Sequence, residues 1–336
     1  MKTIVCTEPG RLVLEERPEP IRREGEVRVR VRRVGICGTD YHIYEGKHPY
    51  LRYPRVMGHE LAVEIIEAPE GSDFTAGENC VVNPYLHCGR CVACRAGKPN
   101  CCVNMSVLGV HQDGGMTEVL SLPLTSLVHA RGLTADQCAT VEFLAIGAHA
   151  VRRAGVERGE KVLVVGAGPI GLGVALFARL SGGTVALYDR DSARLSAAES
   201  LADIVALSPD VGVAGSVRDF TNGDGFDIVF DATGNAKSIE AGFDFVAHGG
   251  RYVLVSVVRE TLSFADPDFH RKEMTLFGTR NATDEDFTRV IGAIRNGQIP
   301  VGRLITHRTT LDDVVRDLPL WATEKSGLIK AMIEIG

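Results

Sequence analysis

The stretch "EKVLVVGAGPIGLGVALFARLSG", from Glu160 to Gly182, decides the fold of the middle of the chain. It reads as an apolar strand, a glycine turn and an apolar helix in succession. Gly166, Gly168 and Gly171 have the G-x-G-x-x-G spacing. In this pattern the first glycine permits a tight turn, the second lets a pyrophosphate approach the backbone, and the third packs the helix on the strand. The stretch therefore predicts a dinucleotide-binding unit.

The residues around this turn favour NAD as the cofactor. The helix N-terminus offers free N–H groups and a positive dipole end to the phosphates. Asp189 ends the next strand, where its carboxylate can bind the ribose hydroxyls and repel a 2′-phosphate, whereas the nearby Arg190 and Arg194 weaken this preference over NADP. A glycine-rich turn that binds nothing is the alternative. The predicted cofactor-binding residues are Gly166, Gly168, Pro169, Ile170, Gly171, Asp189, Arg190, Arg194 and Thr233.

The segments that follow the glycine turn extend the same pattern. "TVALYD", "FDIVFDATG" and "GRYVLVSVV" are buried-strand candidates, with helix-length segments such as "DSARLSAAESLA" between most of them. Strands that alternate with helices indicate a parallel sheet with right-handed crossovers. We therefore predict a Rossmann domain, a doubly wound parallel sheet that binds the cofactor, over residues 148–283.

The sequence before and after this predicted domain has a different residue pattern. "EVRVRVRRVGI", from Glu26 to Ile36, alternates valine with arginine, as a half-exposed antiparallel strand does. "HELAVEIIEA" is another strand candidate, "MKTIVCTEPGRLVLEERPEP" reads as a short strand followed by a charged loop, and "SGLIKAMIEIG" reads as a closing strand. We expect a β-rich domain over residues 1–147, completed by residues 284–336, and an α/β chain as a whole.

The totals of the 336-residue chain argue against several classes of function. A net charge of -6 and a pI near 6.0 give no reason to expect nucleic acid or an anionic membrane as partner. No apolar run reaches the roughly eighteen residues of a membrane span, and the N-terminus has no signal-peptide core. We therefore expect a cytoplasmic protein that acts on a small molecule, with no nucleic-acid partner and no membrane partner.

Five of the nine cysteines lie in "CGRCVACRAGKPNCC", which ends at Cys102. In a reducing compartment, clustered thiols are more often metal ligands than disulfides. Four of them, spaced C-x2-C-x2-C-x7-C, can surround one tetrahedral zinc with no position left for water, so that the site is inert and structural. Cys101 competes with Cys102 for the fourth place, and unligated surface thiols or a redox C-x-x-C are the alternatives. The predicted structural ligands are Cys88, Cys91, Cys94 and Cys102.

A second set of metal ligands is spread along the first half of the chain. "GICGTDYH", "VMGHE" and "TVEFLAIGAHA" contain Cys37, His59 and Glu142, which are a thiolate, an imidazole and a carboxylate. Three protein ligands and one open position are what a catalytic zinc requires. Taken singly, each residue has an ordinary structural interpretation. Their joint occurrence with the cysteine cluster and the dinucleotide turn favours a catalytic site.

With these motifs together, the sequence resembles the zinc-dependent medium-chain dehydrogenase/reductase family, of the alcohol dehydrogenase type, over essentially its whole length. The shared motifs are "GICGTD", "GHE", "CGRCVACRAGKPNCC", "DGGMTEV", "VVGAGPIGL" and "DATG". The resemblance implies a GroES-like catalytic domain, a Rossmann domain and an active-site cleft between them. "YHIYEGKHPYLRYPRVMGHE", "GKPNCC", "LGVHQDGG" and "LITH" are similar to the polyol, threonine and sugar-acid dehydrogenases, especially the starvation-sensing RspB-type and hexonate 5-dehydrogenase branch.

The resemblance also implies which residues hold the catalytic zinc. Cys37, His59 and Glu142 would be its ligands. Glu60 matches a neighbouring glutamate that can enter the coordination sphere in this branch, and which of the two carboxylates binds directly stays open. Asp40 would orient the zinc-binding histidine through its second ring nitrogen.

A proton path and substrate contacts follow from the same resemblance and from charge. Thr39 would hydrogen-bond the substrate alcohol, and His42 would carry its proton outward, although His42 also reads as a surface loop histidine. A sugar acid needs a cation for its carboxylate. The candidates for this contact, which read equally well as solvated loop charges, are His48, Arg52, Arg280 and Lys47.

Four positions depart from the usual pattern of the family. Phe143 replaces a common proline after the third ligand, "GENCVV" places Asn79 and Cys80 at a common arginine and valine, and Ser256 stands where a glycine often faces the nicotinamide. None of these changes removes a zinc ligand or a glycine of the dinucleotide turn.

The sequence therefore predicts reversible oxidation of a secondary alcohol to a ketone, with NAD and with two zinc ions per chain, one catalytic and one structural. The expected substrate is a hexonate such as L-galactonate or L-gulonate, or a polyol. The alternatives are L-threonine 3-dehydrogenase-like activity, an NAD-binding sensor without turnover, and a zinc-free quinone reductase. The resemblance suggests a homodimer or homotetramer joined at the Rossmann sheet edge near "GRYVLVSVV".

Overall fold

The computed structural model of the chain describes residues 1–48, 51–199, 204–207, 212–324 and 327–336. It divides into two compact units, one made of Met1–Phe143 with Thr283–Gly336 and the other of Leu144–Ala282. The helix expected over residues 191–202 is described as far as Glu199, and the remainder of that prediction lies outside the described residues. Within the part of the chain that the structure describes, no helix combines the length and apolar character that a membrane crossing requires.

Both kinds of regular structure occur along the described chain. The strands are β1 (Lys2–Glu8), β2 (Arg11–Glu16), β3 (Glu26–Ile36), β4 (Glu60–Glu67), β5 (Asn79–Val82), β6 (Tyr85–Leu86), β7 (Ser106–Val107), β8 (Val119–Pro123), β9 (Leu127–His129), β10 (Lys161–Val165), β11 (Thr184–Tyr188), β12 (Val205–Ala206), β13 (Phe226–Asp231), β14 (Val246–Leu254), β15 (Thr275–Gly278), β16 (Ile305–Thr310) and β17 (Lys330–Glu334). The helices are α1 (Gly38–Tyr44), α2 (Val92–Arg95), α3 (Ala135–Ala139), α4 (Val141–Ala154), α5 (Pro169–Leu180), α6 (Ser192–Glu199), α7 (Val213–Thr221), α8 (Ala236–Gly242), α9 (Asp266–Arg271), α10 (Asp284–Arg295), α11 (Val301–Leu304) and α12 (Val314–Thr323).

The second unit is built on a six-stranded parallel sheet of order β12-β11-β10-β13-β14-β15. Helices α5 to α9 each connect two strands that are consecutive in the sequence. Residues 162–165 of β10 are all buried, as expected for a central strand covered on both faces. The strand order reverses between β10 and β13, and open α/β sheets bind their ligands at such a switch point. The predicted doubly wound Rossmann sheet is confirmed.

The first unit is β-rich, as expected. Its main sheet has the order β16-β17-β3-β4-β5-β9, with β8 also paired to β3. The valines of β3 are fully buried and the arginines between them are exposed or half-buried, so the alternation seen in the sequence does place one face in the core. The last strand, β17, pairs antiparallel with β3. The two chain segments that make up the first unit therefore share one sheet.

Two details of the sequence prediction were wrong. The segment expected to be a charged loop contains β2, which pairs antiparallel with β1 and sets Leu12 opposite Cys6 and Leu14 opposite Ile4. The sheet edge expected near "GRYVLVSVV" is not an edge, because β15 pairs with β14 and lies outside it. A four-residue strand such as β15 leaves too short a pattern in the sequence to be recognised.

Candidate metal centres and nucleotide site

Cys37, His59 and Glu60 form a group, called the buried group below, whose potential ligand atoms all lie within 4.8 Å of one another; His59 and Glu60 are buried and Cys37 is half-buried. Sheet pairing brings them together, because β3 ends just before Cys37 and β4 begins at Glu60, antiparallel to it. Gly35 stands opposite Glu60 in this register. A Cβ atom at Gly35 would lie 2.1 Å from Glu60 Oε2, so only glycine leaves room for this carboxylate.

Asp40 organises the backbone around this group. Its Oδ2 accepts from the N–H of Cys37 at 2.8 Å, and its Oδ1 accepts from the N–H of Gly58 at 3.2 Å. His59 Nδ1 lies 3.9 Å from Asp40 Oδ1 and is buried without a hydrogen-bond partner among the described residues. Burial alone lowers the pKa of His59, but the negative charges of Cys37 and Asp40 outweigh it and raise this pKa well above its usual value. Because Nδ1 is the nitrogen beside Asp40, the other ring nitrogen, Nε2, is the one left to bind a zinc ion together with the Cys37 thiol.

Lys330 was missed by sequence reasoning, which treated its segment only as a closing strand. Its ammonium donates to Glu60 Oε1 at 2.7 Å, to Glu60 Oε2 at 2.8 Å and to the carbonyl of Ile36 at 3.2 Å. It also lies 4.4 Å from the centroid of the Phe143 ring. Burial alone lowers the pKa of Lys330, but the charges of Glu60 and Cys37 raise it overall. A lysine inside an apolar run was the available signal, because a fully buried ammonium requires a partner.

Glu142 lies in the first turn of α4 and is buried, but it is not one of the three residues of the buried metal group. Its Oε1 accepts a hydrogen bond from the hydroxyl of Tyr85. Its Oε2 is buried and has no hydrogen-bond partner within the described chain. Burial raises the pKa of Glu142 to about 7, against the opposing effect of the nearby His59 charge. The carboxylate thus has one oxygen held and one available to a cation.

The cysteine cluster is assembled within one short segment. The sulfur atoms of Cys88, Cys91, Cys94 and Cys102 all lie within 4.8 Å of one another. Cys102 is buried, whereas Cys101 is exposed and outside the group. Backbone N–H groups lower the pKa of Cys88 to about 6, so this sulfur is prepared to act as a thiolate. All nine cysteines are among the described residues and all are free thiols. Four convergent thiols fit a closed, tetrahedral zinc site.

The glycine turn has the shape that a dinucleotide requires. Gly166 has a φ of +103°, and a Cβ atom at Gly171 would lie 1.8 Å from the carbonyl oxygen of Gly166, so the helix packs closely on the turn. A Cβ atom at Gly168 would meet nothing within 4 Å. This residue precedes α5 and supplies no side-chain cap to the helix N-terminus. Open space in front of uncapped N–H groups fits a phosphate.

Asp189 follows β11 beside this turn, as the sequence predicts. Its Oδ2 accepts from the N–H of Ala167 at 2.7 Å, and its Oδ1 accepts from the N–H of Asp191 at 2.9 Å. The guanidinium of Arg194 lies 4.0 Å from Asp189 Oδ2 and 3.7 Å from Asp191 Oδ2, while Arg190 is exposed. The carboxylate is therefore fixed by the backbone next to the site expected for the ribose.

Three further predicted residues, Pro169, Ile170 and Thr233, also belong to the second unit. Pro169 and Ile170 form the first turn of α5. Thr233 follows β13, the strand next to β10, and its hydroxyl donates to Asp231 Oδ1 at 2.7 Å. Ser256, which replaces a common glycine, accepts from the N–H of Gly234 at 2.8 Å and so fixes the loop that carries Thr233.

The remaining predicted residues lie around the buried metal group or apart from it in the chain. Thr39 is on α1, and its Oγ1 lies 3.8 Å from Cys37 Sγ. His42 is three residues further along the same helix and is exposed. The residues proposed for substrate contact stay predictions. His48 and Arg52 follow α1 in the first unit, and Arg280 follows β15 in the second.

Comparison with known proteins identifies the family to which the chain belongs. The Alcohol dehydrogenase GroES-like domain matches residues 23–132, and the Zinc-binding dehydrogenase family matches residues 169–296. The chain belongs to the zinc-type, medium-chain alcohol dehydrogenase family.

Individual relatives support this assignment over nearly the whole chain. L-galactonate-5-dehydrogenase of Escherichia coli (strain K12) is 41% identical over 310 residues, which cover 92% of this chain and 91% of the relative. Starvation-sensing protein RspB of the same strain is 32% identical over 338 residues, 99% of each chain. A crystal structure of the alcohol dehydrogenase RspB from E. coli CFT073, complexed with NADH, superposes with a TM-score of 0.92 at 30% identity and covers 100% of this chain and 99% of that one.

Proposed function

We propose that this protein reversibly oxidises a secondary hydroxyl group of a hexonate, such as L-galactonate or L-gulonate, to a ketone with NAD as hydride acceptor. The observation that carries the proposal is the buried group of Cys37, His59 and Glu60 in a chain that is 41% identical to an L-galactonate-5-dehydrogenase. A polyol is the alternative class of substrate.

The proposed catalytic zinc ligands are Cys37, His59 and one carboxylate. Glu142 is favoured for the carboxylate because its Oε2 is buried without a partner, whereas both oxygens of Glu60 are bound by Lys330. Glu60 would remain beside the ion, since it belongs to the same compact group. The proposed structural zinc ligands are Cys88, Cys91, Cys94 and Cys102.

The chemistry can be assigned to the groups that the fold positions. When bound, zinc supplies a Lewis acid for the substrate oxygen and NAD supplies the acceptor for hydride. Thr39, whose Oγ1 lies 3.8 Å from Cys37 Sγ, would orient the substrate hydroxyl and relay its proton, releasing its own hydroxyl proton towards His42 as it accepts the one from the substrate. His42 lies one helical turn further on and is exposed, so it would pass that proton towards solvent. Asp40 would hold the backbone N–H groups of Cys37 and of Gly58, the residue before His59, in place.

The two units are proposed to divide these tasks between a catalytic and a cofactor domain. Residues 1–147 with 284–336 would form the catalytic domain, and residues 148–283 the NAD domain. The glycine turn would hold the pyrophosphate, and Asp189 the adenosine ribose. A neighbouring family member with NADH bound supports this use of the second unit.

We further propose a cytoplasmic homodimer or homotetramer. The sheet of the second unit ends at β15, whose Leu276 is 38% exposed. An edge strand offers unpaired backbone groups, and pairing with the same strand of a second copy would satisfy them. The cytoplasm suits a protein whose nine cysteines are free thiols, four of them gathered as metal ligands.

The test is NADH formation, followed by absorbance, with L-galactonate, L-gulonate, other hexonates, polyols and L-threonine on protein of measured zinc content. We expect turnover of one hexonate to exceed that of every polyol and of L-threonine. Fastest turnover of L-threonine would replace the proposed substrate with an amino acid. NAD binding without turnover of any compound, on zinc-loaded protein, would instead favour a sensor derived from the family.

A further inference from the structure

Tyr85 makes the one hydrogen bond that the described chain shows to the carboxylate of Glu142. The Tyr85 hydroxyl donates to Glu142 Oε1, and both side chains are buried. The other oxygen, Oε2, has no hydrogen-bond partner in the described part of the chain. A carboxylate with one oxygen held by a phenol and the other unpaired in the protein interior has a fixed orientation and an unfilled acceptor. Such an acceptor is unfavourable when buried unless a cation or a donor completes it.

Tyr85 is itself held rigidly. Its backbone N–H donates to Asn83 Oδ1 at 3.1 Å, and Tyr85 pairs with Val107 in the β6–β7 ladder. Its ring meets the ring of Phe287 edge to face, with centroids 6.4 Å apart. Phe287 is fully buried in α10. Backbone pairing and ring packing together leave the hydroxyl little freedom to move away from Glu142.

The cysteine cluster lies in the connection between β6 and β7. Cys88 follows β6 in the sequence and Cys102 precedes β7. The N–H of Cys88 donates to Cys102 Sγ at 3.3 Å, and the two sulfurs belong to the same group of four. The cluster therefore ties together the two chain ends that flank the β6–β7 pair. A closed site with no open coordination position thus supports the segment that presents Tyr85.

We propose that Tyr85 is a positioning residue for the catalytic zinc, which holds Glu142 Oε1 so that Oε2 is directed to the metal. This proposal rests on the proposed function only in taking Glu142 as a zinc ligand. Groups that hold a metal ligand by a hydrogen bond commonly change metal affinity ten- to a hundredfold when they are removed. Neither the family match nor the motifs of the sequence assign a role to this tyrosine.

The experiment compares zinc retention by the wild-type protein and Tyr85→Phe in competition with a chelator. The substitution removes only the hydroxyl and keeps the ring on Phe287. We expect one of the two zinc ions to bind about ten- to a hundredfold more weakly and the other to be unaffected. Tyr252→Phe is the matched control, because Tyr252 is also buried and its hydroxyl donates to the carbonyl of Ile239, in the second unit. It should retain both ions as the wild type does.

A spectroscopic readout separates positioning from a general loss of structure. With Co²⁺ in place of zinc, the visible spectrum reports ligand geometry, and Tyr85→Phe should change it while Tyr252→Phe does not. Glu142→Gln should weaken the same ion, and the double variant should lose little more, because Tyr85 acts through Glu142. Unchanged zinc affinity and an unchanged Co²⁺ spectrum in Tyr85→Phe would overturn the proposal, as would independent, additive losses in the double variant.

These measurements need no substrate, so the two proposals can fail separately. If no hexonate is oxidised but Tyr85→Phe loses zinc selectively, the proposed function fails and the positioning role stands. If a hexonate is oxidised and Tyr85→Phe binds zinc as the wild type does, the positioning role fails alone.

Discussion

The cysteine cluster and the buried group of Cys37, His59 and Glu60 are built in opposite ways. The cluster comes from one short segment, and three of its four thiols are only half-buried. The buried group joins the ends of two sheet strands and depends on Lys330, a residue near the C-terminus that neutralises Glu60. One site is therefore made by local turns and the other by the tertiary fold.

This difference explains the chemistry that each site is suited to. Four thiols saturate a tetrahedral ion, so the local site can only hold the chain together. The buried group combines sulfur, nitrogen and oxygen donors with a charged lysine, so its electrostatics are set by several separate elements. A site that must leave one position open to a substrate needs that external support.

The largest effect is expected from Cys37→Ala, which removes a ligand of the catalytic site. We expect hexonate oxidation to fall by about a thousandfold or more, because the Lewis acid contributes several kcal/mol to the transition state. NAD affinity should be unchanged, as measured by fluorescence titration. Cys138→Ala is the control, since Cys138 is fully buried but outside both metal groups. Equal activity in the two variants would contradict the assignment.

Lys330→Met should destabilise the protein, because it leaves Glu60 buried without its counter-charge. Removing one partner of a buried ion pair lowers the free energy of unfolding by about 3–5 kcal/mol. Urea unfolding of the variant and of the wild-type protein would measure this difference. Lys2→Met is the matched control, because Lys2 pairs with Asp312 at the surface, and we expect no measurable change there. Adding Glu60→Gln to Lys330→Met should restore part of the loss. If Lys330→Met unfolds at the same urea concentration as Lys2→Met, the buried pair has no such role.

Cys102→Ala should lower the melting temperature by about 5 °C, an effect of roughly 2 kcal/mol on a unit of this size. Cys101→Ala should leave it unchanged, because Cys101 is exposed and outside the cluster. Differential scanning calorimetry on both variants makes the comparison. A larger fall in melting temperature for Cys101→Ala than for Cys102→Ala would mean that Cys101, and not Cys102, is the fourth ligand.

Asp189→Asn is expected to have the smallest effect. It keeps an acceptor for the N–H of Ala167 but removes the charge offered to the ribose, so NAD should bind about tenfold more weakly. Asp191→Asn is the control, because this side chain accepts from the N–H of Ala193 in the next helix. Isothermal titration with NAD and NADP would measure both, and an equal loss in the two variants would argue against the ribose contact.

The same contrast between local and tertiary sites explains what could be predicted from the sequence. The cysteine cluster and the glycine turn each depend on spacing within one short segment of the chain, and the structure assembles both as the spacing indicates. The β3 alternation likewise predicts its own burial. The contacts of Lys330 and Tyr85 could not be predicted, because each depends on a partner more than fifty positions away. The edge strand β15 was missed for another reason, since four residues carry too little pattern.

The chain is expected to hold two zinc ions at two independent sites, of which only the buried one carries the reaction. Zinc per chain, measured by mass spectrometry on the wild type, Cys37→Ala and Cys102→Ala, tests it directly. We expect two ions in the wild type and one in each variant, with hexonate oxidation lost in Cys37→Ala even though its structural zinc remains. A Cys37→Ala protein that retains as much zinc as the wild type would contradict the claim.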